Sequence, residues 1–523
     1  MSAGNDLPRS VGTVVVGSGS GGAALTGVLA QHDSGRVLLV EAGPDYGPYA
    51  GGRWPDDVLD ARVIPLSHDW GLSSSTSIPG RVVDLPRARV AGGCSSHNGC
   101  TASVAARADY DDWAAQGNPG WASADVEPLL HWVRQRFRVR HYAMDELTSP
   151  QAAFVHAGLA AGLPFADDLD DLDAGPGIGP MPANVVDGVR WNAAFAFLDP
   201  VRGAPHLRIA GGTTVRRLLI ERNAATGVEV ISADGGAHTI HADRIVLAAG
   251  AYHSPALLLR SGIGPADELR ALGITPAADL PGVGRHLLDH PCVALDFAGQ
   301  DSLTSELAAR SWAPDEQTVG RARSSRCDSG PYDMHVFMVA GANSGHPGLP
   351  PISLYGGTMR ARSEGRITLV PSPAGGLLID HRYASDAGGH DQAVLSEALE
   401  LLQAMTKDSK LAQVLGKPLG RGADPLRCVA SYCHPAGSCK LGPATDPAAV
   451  VGANGAVHGI GNLYIADASI MPSITRGNPN LPVAMIGARI AAGLLGLTPA
   501  AVADRERPCI PPNGTDSGAA QPV

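Results

Sequence analysis

The sequence predicts an α/β protein with two domains. One carries a Rossmann-like parallel sheet that is discontinuous in the chain. The other carries a mostly antiparallel sheet with flanking helices. Three observations predict this. The stretch Val11 to Gly43 reads strand, glycine turn, helix, strand, acid, the order of a dinucleotide grip. Much later, a second apolar strand, Arg244 to Ala248, runs into Gly250 and a helix from Ser254 to Arg260, returning the chain to the same sheet. Between residues 296 and 415 the pattern changes to strand-like runs, Met334 to Val339, Ile352 to Met359 and Arg366 to Val370, closed by a helix from Asp391 to Met405.

Each part of the opening unit has a physical task. The β-branched run Val11 to Val16 suits a buried parallel strand, and Val37 to Val40 is its neighbour. Gly17 permits the tight turn and Gly19 lets backbone approach a pyrophosphate, while Gly22 lets the helix from about Ser20 to Gln31 pack on the strand. That helix offers its N-terminal N–H groups to phosphate. Glu41, followed by Ala42, stands nineteen residues past Gly22, where a carboxylate would accept from ribose hydroxyls. The alternative is a glycine-rich turn in some other α/β protein, and the unit alone does not say which dinucleotide is bound.

With 523 residues the chain has room for two or three domains. A net charge of −11 argues against nucleic acid or an anionic membrane surface as partner. Its polar first ten residues read as no signal peptide, and the most apolar stretch, Leu481 to Leu497, is interrupted by Arg489, so no stable membrane insertion is expected. Eight scattered cysteines are expected as free thiols in the cytoplasm.

In chain order, Pro44 to Pro86 reads as irregular, with Trp54 and Trp70 in it. Residues 85–101 form a glycine- and serine-rich turn around one imidazole, His97. An amphipathic helix follows within Tyr110 to Arg140, with Ser123 as its cap and Val126, Leu129, Leu130 and Val133 facing inward. The acidic block Asp167 to Asp173 fits no EF-hand register and reads as a solvated loop. Strands alternate with turns from Leu207 to Val246, and the last third contains a strand ending in Asp467 and a long final helix. Cys428, Cys433, His434 and Cys439 lack the paired spacing of a zinc site, so no metal is expected.

Six motifs in order then resemble the glucose–methanol–choline (GMC) flavoprotein oxidoreductases, over nearly the whole chain: the GSGSGG…EAG unit, Arg87 to Gly99, Gly250 to Pro265, Leu280 to Pro291, His434 to Gly442, and Asp467 to Asn480. Ser363 to Leu369 is similar to a strand of the family's substrate domain. The resemblance implies FAD, and oxidation of an alcohol to an aldehyde or ketone. It assigns 10–155, 196–295 and 416–500 to the FAD-binding domain and 156–195 and 296–415 to the substrate-binding domain, while 501–523, with almost nothing to bury, is expected as a disordered tail.

It further implies that His434 is the base and that Asn478 orients the substrate oxygen. The FAD contacts are expected from Gly17, Gly19, Ser20, Gly22, Glu41, Ala42, Arg89, Gly93, Cys94, His97, Asn98, Gly99, Val215, Ala249, Asp467, Ala468, Pro479 and Asn480. The run GGCSSHN is similar to that of choline-oxidase-like members, in which the histidine is bonded to the flavin 8α-methyl, and predicts the same covalent link at His97. A histidine lining the flavin without a bond is the alternative. Choline itself fits less well, since Cys433 stands before His434 where choline oxidases have an aromatic residue, and Gly99 follows Asn98. Trp70, Trp312 and Glu306 are candidates for a cation cage. The partners implied are a small-molecule alcohol and O2, with a quinone or other acceptor as the alternative, and a homodimer is allowed. A hydroxynitrile lyase on the same scaffold is the competing reaction class.

Overall fold

A computed structural model of the chain describes residues 7–33, 35–78, 80–300, 314–341, 351–371, 376–420 and 429–504. The first strand, Ser10–Val16, lies parallel to Val37–Val40 on one side and to Ala237–Leu247 on the other. Leu207–Ala210 extends the parallel sheet beyond Val37–Val40. The long strand Ala237–Leu247 is the spine. Its first half pairs antiparallel with Ala224–Ile231, and its last residues pair parallel with Leu463–Ile465. A continuous apolar run suits this position, because Val14, Val15, Leu38, Leu39, Ile245, Val246 and Leu247 are buried on both faces.

Helix Ser20–His32 packs on this sheet and crosses the last long helix, Asn480–Leu495. The crossing is a backbone contact. A Cβ on Gly487 would lie 2.0 Å from the Gly21 carbonyl oxygen, so the small-residue composition of both helices follows from how closely they approach.

The second sheet runs Ala430–Ser431, Pro291–Phe297, Ile352–Thr358, Met334–Ala340, Thr318–Ala322, Gly177–Pro180, and every neighbouring pair is antiparallel. Val336, Met338, Ile352 and Leu354 point to one face, covered by helices Ser149–Ala160 and His390–Met405. His335, Phe337 and Tyr355 belong to the other face. The strands at 291–297 and 430–431 belong to this sheet although their residues fall largely in the segments assigned to the nucleotide domain.

Five local expectations are corrected. The stretch Arg366 to Val370 does not join the second sheet; Arg366–Leu369 forms a separate hairpin with Leu377–Asp380. Pro44 to Pro86 is not wholly irregular, since Ser73–Ile78 pairs with Arg81–Asp84. Ser123 is the first helical residue rather than the cap. Asp125 accepts from the N–H of Ala122, the capping position, at 3.2 Å, and the Ser123 N–H goes to Asp111. Within the acidic block, Asp170 is not solvated: it is 3 % exposed, faces Arg134 at 2.5 Å and accepts from Val104 N. Burial pushes its carboxyl up to about 7. The tail assigned to 501–523 begins in a short helix, Pro499–Asp504, with Val502 buried; its remainder lies outside the described residues.

No helix among the described residues is long and apolar enough to cross a membrane. The described cysteines, 94, 100, 292, 327, 433 and 439, are free thiols.

One buried ion pair fixes the loop that precedes the last helix. Arg476 bonds Asp109 through Nη1, and its backbone N–H donates to the same carboxylate at 2.8 Å. Both side chains are fully buried. Removing Asp109 strands the buried Arg476 guanidinium, so Asp109→Ala should lower unfolding stability by ~3–5 kcal/mol. A denaturant midpoint equal to that of the parent protein would contradict this.

Candidate active site

The N-termini of helices Ser20–His32 and Asn480–Leu495 converge, and Ser20 Oγ donates to Asn480 Oδ1 at 2.6 Å. Two helix ends aimed at one place favour an anion there. Gly22 is the tightest point of the turn, where a Cβ would sit 2.0 Å from the Gly17 carbonyl oxygen. Gly93, in the second glycine turn, approaches Gly19 so closely that its Cβ would lie 2.6 Å from the Gly19 Cα. The two turns thus face each other across a backbone-lined cleft.

Glu41 is engaged from within the protein. Its carboxylate accepts from Ser18 N at 2.9 Å, Ser18 Oγ at 2.7 Å and Gly43 N at 2.8 Å, and burial raises its pKa despite these bonds. It therefore fixes the ends of the first two strands. Ala42 follows at the cleft rim, partly buried. Asp467 is held likewise by Gly250 N, Ser254 Oγ and Ser469 N, tying the helix Gly250–Arg260 to the end of the last parallel strand. Ala249 precedes that helix, and its N–H donates to Ser254. Val215 is buried in the strand Thr214–Glu221, and with Arg89 it lines a cavity of about 960 Å³.

Cys94 is exposed, whereas His97 is 7 % exposed with no partner for its Nε2. Burial lowers the His97 pKa to about 4, so the ring is neutral at pH 7. Asn98 turns the chain by accepting from Cys100 N, and its carbonyl accepts from Arg190. Gly99 comes next. Trp70 does not face the catalytic pair; it stacks on His253 at 4.4 Å, with the Arg89 guanidinium over it. Glu306 and Trp312 lie outside the described residues.

His434 is brought to the seam of the two domains by its turn. Ala436 exchanges two hydrogen bonds with Leu288, Gly437 N donates to Ala468 O, and Cys439 N to Ser469 O. The His434 N–H donates to Asp289 Oδ1 at 2.8 Å. The imidazole Nδ1 lies 2.9 Å from Nδ1 of His290, and its Nε2 lies 3.4 Å from the Asn478 amide nitrogen. Pro479 leads directly from Asn478 into the final helix.

A proton between the two Nδ1 atoms joins the rings; carried on His434 Nδ1, it leaves the His434 Nε2 as a lone pair beside the Asn478 amide nitrogen. Burial, and the neighbouring His290 and Arg87, hold the His434 pKa well below the ordinary histidine value, so the ring is a neutral acceptor. His290 was not a candidate from the sequence. Its only signal there is its place in the motif DHP, 144 residues from His434.

A second residue missed by sequence reading is Glu316, whose Oε1 accepts from Tyr432 Oη at 3.3 Å. Burial pushes its carboxyl up to about 7. Tyr432 stands two residues before His434, and their ring centroids are 4.4 Å apart.

The residues fit a dinucleotide flavin. Polar atoms buried without partners, His97 Nε2, Asn478 Oδ1 and Asn480 Nδ2, border the cleft between the glycine turns and the His434 pair. The opposed backbones leave no room for Cβ atoms in those turns. Among the described residues, no group of His, Cys, Asp and Glu could hold a metal ion.

Comparison with known proteins agrees with this reading. The GMC oxidoreductase family models match residues 13–292 and 361–487. The chain is 31 % identical to the oxygen-dependent choline dehydrogenase of Brucella anthropi, covering 94 % of this chain and 97 % of that protein. It is 32 % identical to the mitochondrial choline dehydrogenase of Mus musculus, covering 96 % and 92 %. Among solved structures, pyridoxine 4-oxidase from Mesorbium loti superposes with a TM-score of 0.79 at 28 % identity, over 92 % of this chain and 98 % of that one. Formate oxidase from Aspergillus oryzae gives the same TM-score at 21 % identity, over 93 % and 98 %, a likeness of fold. The chain therefore belongs to the GMC oxidoreductase family, as an enzyme with FAD as cofactor that acts on CH–OH groups.

Proposed function

We propose that the protein oxidises an alcohol to an aldehyde or ketone with His434 as the general base, and passes the electrons to O2. The observation that carries this is the His434 imidazole itself, neutral, with Nδ1 fixed by His290 at 2.9 Å and Nε2 beside the Asn478 amide. FAD, when bound, supplies the hydride acceptor. The chain supplies the rest. The Asn478 side chain donates to the alcohol oxygen and orients it, and Nε2 of His434 takes the hydroxyl proton. Asp289 holds the His434 backbone, so the ring enters the reaction already positioned.

The cofactor would be held by the glycine turns at 17–22 and 93, by the two converging helix N-termini, and by the pocket around Arg89 and Val215. We also propose a covalent link from His97 to the flavin 8α-methyl. What supports it is a buried, neutral imidazole with Nε2 unpartnered, on the turn that faces Gly19.

Three outcomes are expected. His434→Ala should lower kcat by ~10²–10⁴ while leaving the protein yellow, because the base lies outside the nucleotide grip; full activity in that variant would remove His434 from the reaction. Protein precipitated in acid should keep its colour in the pellet, and His97→Ala should release it to the supernatant; a colourless pellet from the parent protein excludes the bond. During turnover in air, hydrogen peroxide should accumulate in step with product, and turnover that requires an added quinone, without peroxide, would assign the electrons to another acceptor.

A further inference from the structure

Behind the segment that leads to Asn478 lies a cavity of about 360 Å³ that neither the cofactor grip nor the His434 pair uses. Separate parts of the chain close it. Ser473 and Ile474 come from the loop before the last helix, and His286 and Leu288 from the run into Asp289. Arg360 and Arg362 follow the strand Ile352–Thr358, the loop 326–329 precedes the strand Met334–Ala340, and His390 opens the helix His390–Met405.

The acids in this lining are already engaged. Asp333 accepts from Ser324 N at 2.8 Å and Ser324 Oγ at 2.6 Å, Glu364 lies 3.0 Å from His286 Nδ1, and Asp328 pairs with Arg362. Donors remain. Arg326 is exposed, and among the described residues its guanidinium has no partner; only its backbone N–H is used, by Ser324 Oγ at 3.0 Å. His390 is 4 % exposed, and its Nε2 is buried without a partner. A buried ring nitrogen in that state is costly, and an acceptor on a ligand satisfies it. Arg360 holds Ser473 Oγ at 3.1 Å and Asp112 at 3.2 Å, which places a further guanidinium in the wall. The helix end at His390 adds nothing, because Asp386 already accepts the N–H groups of His390 and Asp391.

The surplus is therefore donor capacity, and it comes from different elements around one space. A planar carboxylate is matched by a single guanidinium fork. A tetrahedral oxyanion presents acceptors in several directions and suits donors spread in this way.

We infer that this cavity binds a phosphate group, free or as a small phosphomonoester, held by the Arg326 guanidinium and by Nε2 of His390. The site is separate from the FAD grip and does not depend on the reading of His434. It shares a wall with the catalytic loop: Arg476 donates through Nη2 to Ser329 O at 3.0 Å and Ser329 Oγ at 3.2 Å, in the same loop as Arg326.

The test uses the purified protein with FAD bound, so that the cofactor's own phosphate site is filled. Inorganic phosphate and glycerol 2-phosphate are titrated by calorimetry, against chloride at equal ionic strength, in the parent protein, Arg326→Gln and His390→Asn; the second variant withdraws Nε2. Cys327 lines the same cavity and is half-buried, so its alkylation by iodoacetamide, followed on the Cys327 peptide by mass spectrometry, reports where the anion sits. The parent protein should bind phosphate saturably, and phosphate should slow the alkylation of Cys327. Arg326→Gln should weaken binding about tenfold to a hundredfold, as expected for losing a charge-assisted contact, and His390→Asn about tenfold. Both should lose the protection of Cys327. Tighter binding of glycerol 2-phosphate than of phosphate assigns a phosphomonoester, and the reverse assigns the free ion. Absence of saturable binding in the parent protein, affinity unchanged in Arg326→Gln or in a folded His390→Asn, or binding that leaves Cys327 alkylation unaltered overturns the inference. Should His390→Asn fail to fold, Arg326→Gln decides alone, since that side chain is exposed.

Discussion

The Asp289 carboxylate holds the catalytic seam together. Its Oδ1 accepts from the N–H groups of His290 and His434, and its Oδ2 from Tyr383 Oη at 2.6 Å and Ser431 Oγ at 2.5 Å. These donors come from widely separated parts of the chain, and two belong to the residues whose rings face each other at the site. With both lone-pair sets used, the carboxylate has little freedom to move, and the His434 backbone is fixed with it. The imidazole pair at 2.9 Å is thus a consequence of how the backbone at 289–290 and at 434 is anchored. A loop histidine carried by its turn alone would lack that definition.

That anchoring explains why the FAD-binding domain is discontinuous. A parallel sheet can only add a strand after a crossover, so the strands at 10–16, 37–40, 207–210, 237–247 and 463–465 are separated by excursions. The second sheet is built from those excursions. Its edge strand, Ala430–Ser431, leads straight into Tyr432 and His434, and its neighbour, Pro291–Phe297, is entered directly from Asp289 and His290. Each time the chain passes between the sheets it leaves a residue of the candidate site at the crossing. The last crossing carries Arg476 and Asn478, pinned by the buried pair with Asp109, before the final helix returns to Gly21.

What could be read from the sequence follows from this division. The nucleotide grip was legible because its physics is local: glycines where backbones touch, a helix N-terminus, and an acid at fixed spacing. His434 and Asn478 were picked out by the resemblance of their motifs, and the fold brings the two side chains to 3.4 Å. Glu41 was placed correctly at the strand end, yet its carboxylate is occupied by Ser18 and Gly43, a contact that spacing alone does not reveal. His290 and Glu316 were not legible, since each acquires its role from a partner more than a hundred residues away. Asp170 read as solvated for a related reason, its partner standing on another element. A run of acids signals water unless Arg134 is known to stand opposite.

The same contrast separates the reacting groups from the aromatic wall of Phe337, Tyr355 and Tyr432 beside them. The reacting groups sit on segments that both domains constrain, through Asp289, Ala468 and Leu288, so a substitution there disturbs the sheet ends as well as the base. The aromatic wall is packed in a cluster of its own. Phe337 and Tyr355 project from one face of an antiparallel sheet whose other face is packed by helices, and Glu316 sits just before the edge of the neighbouring strand. Phe337, 3 % exposed and packed with Leu169, Met181 and Val319, lies on the face opposite the buried Val336, Met338, Ile352 and Leu354. The period-two geometry of these strands therefore separates the residues packed under the helices from the aromatic row on the reverse.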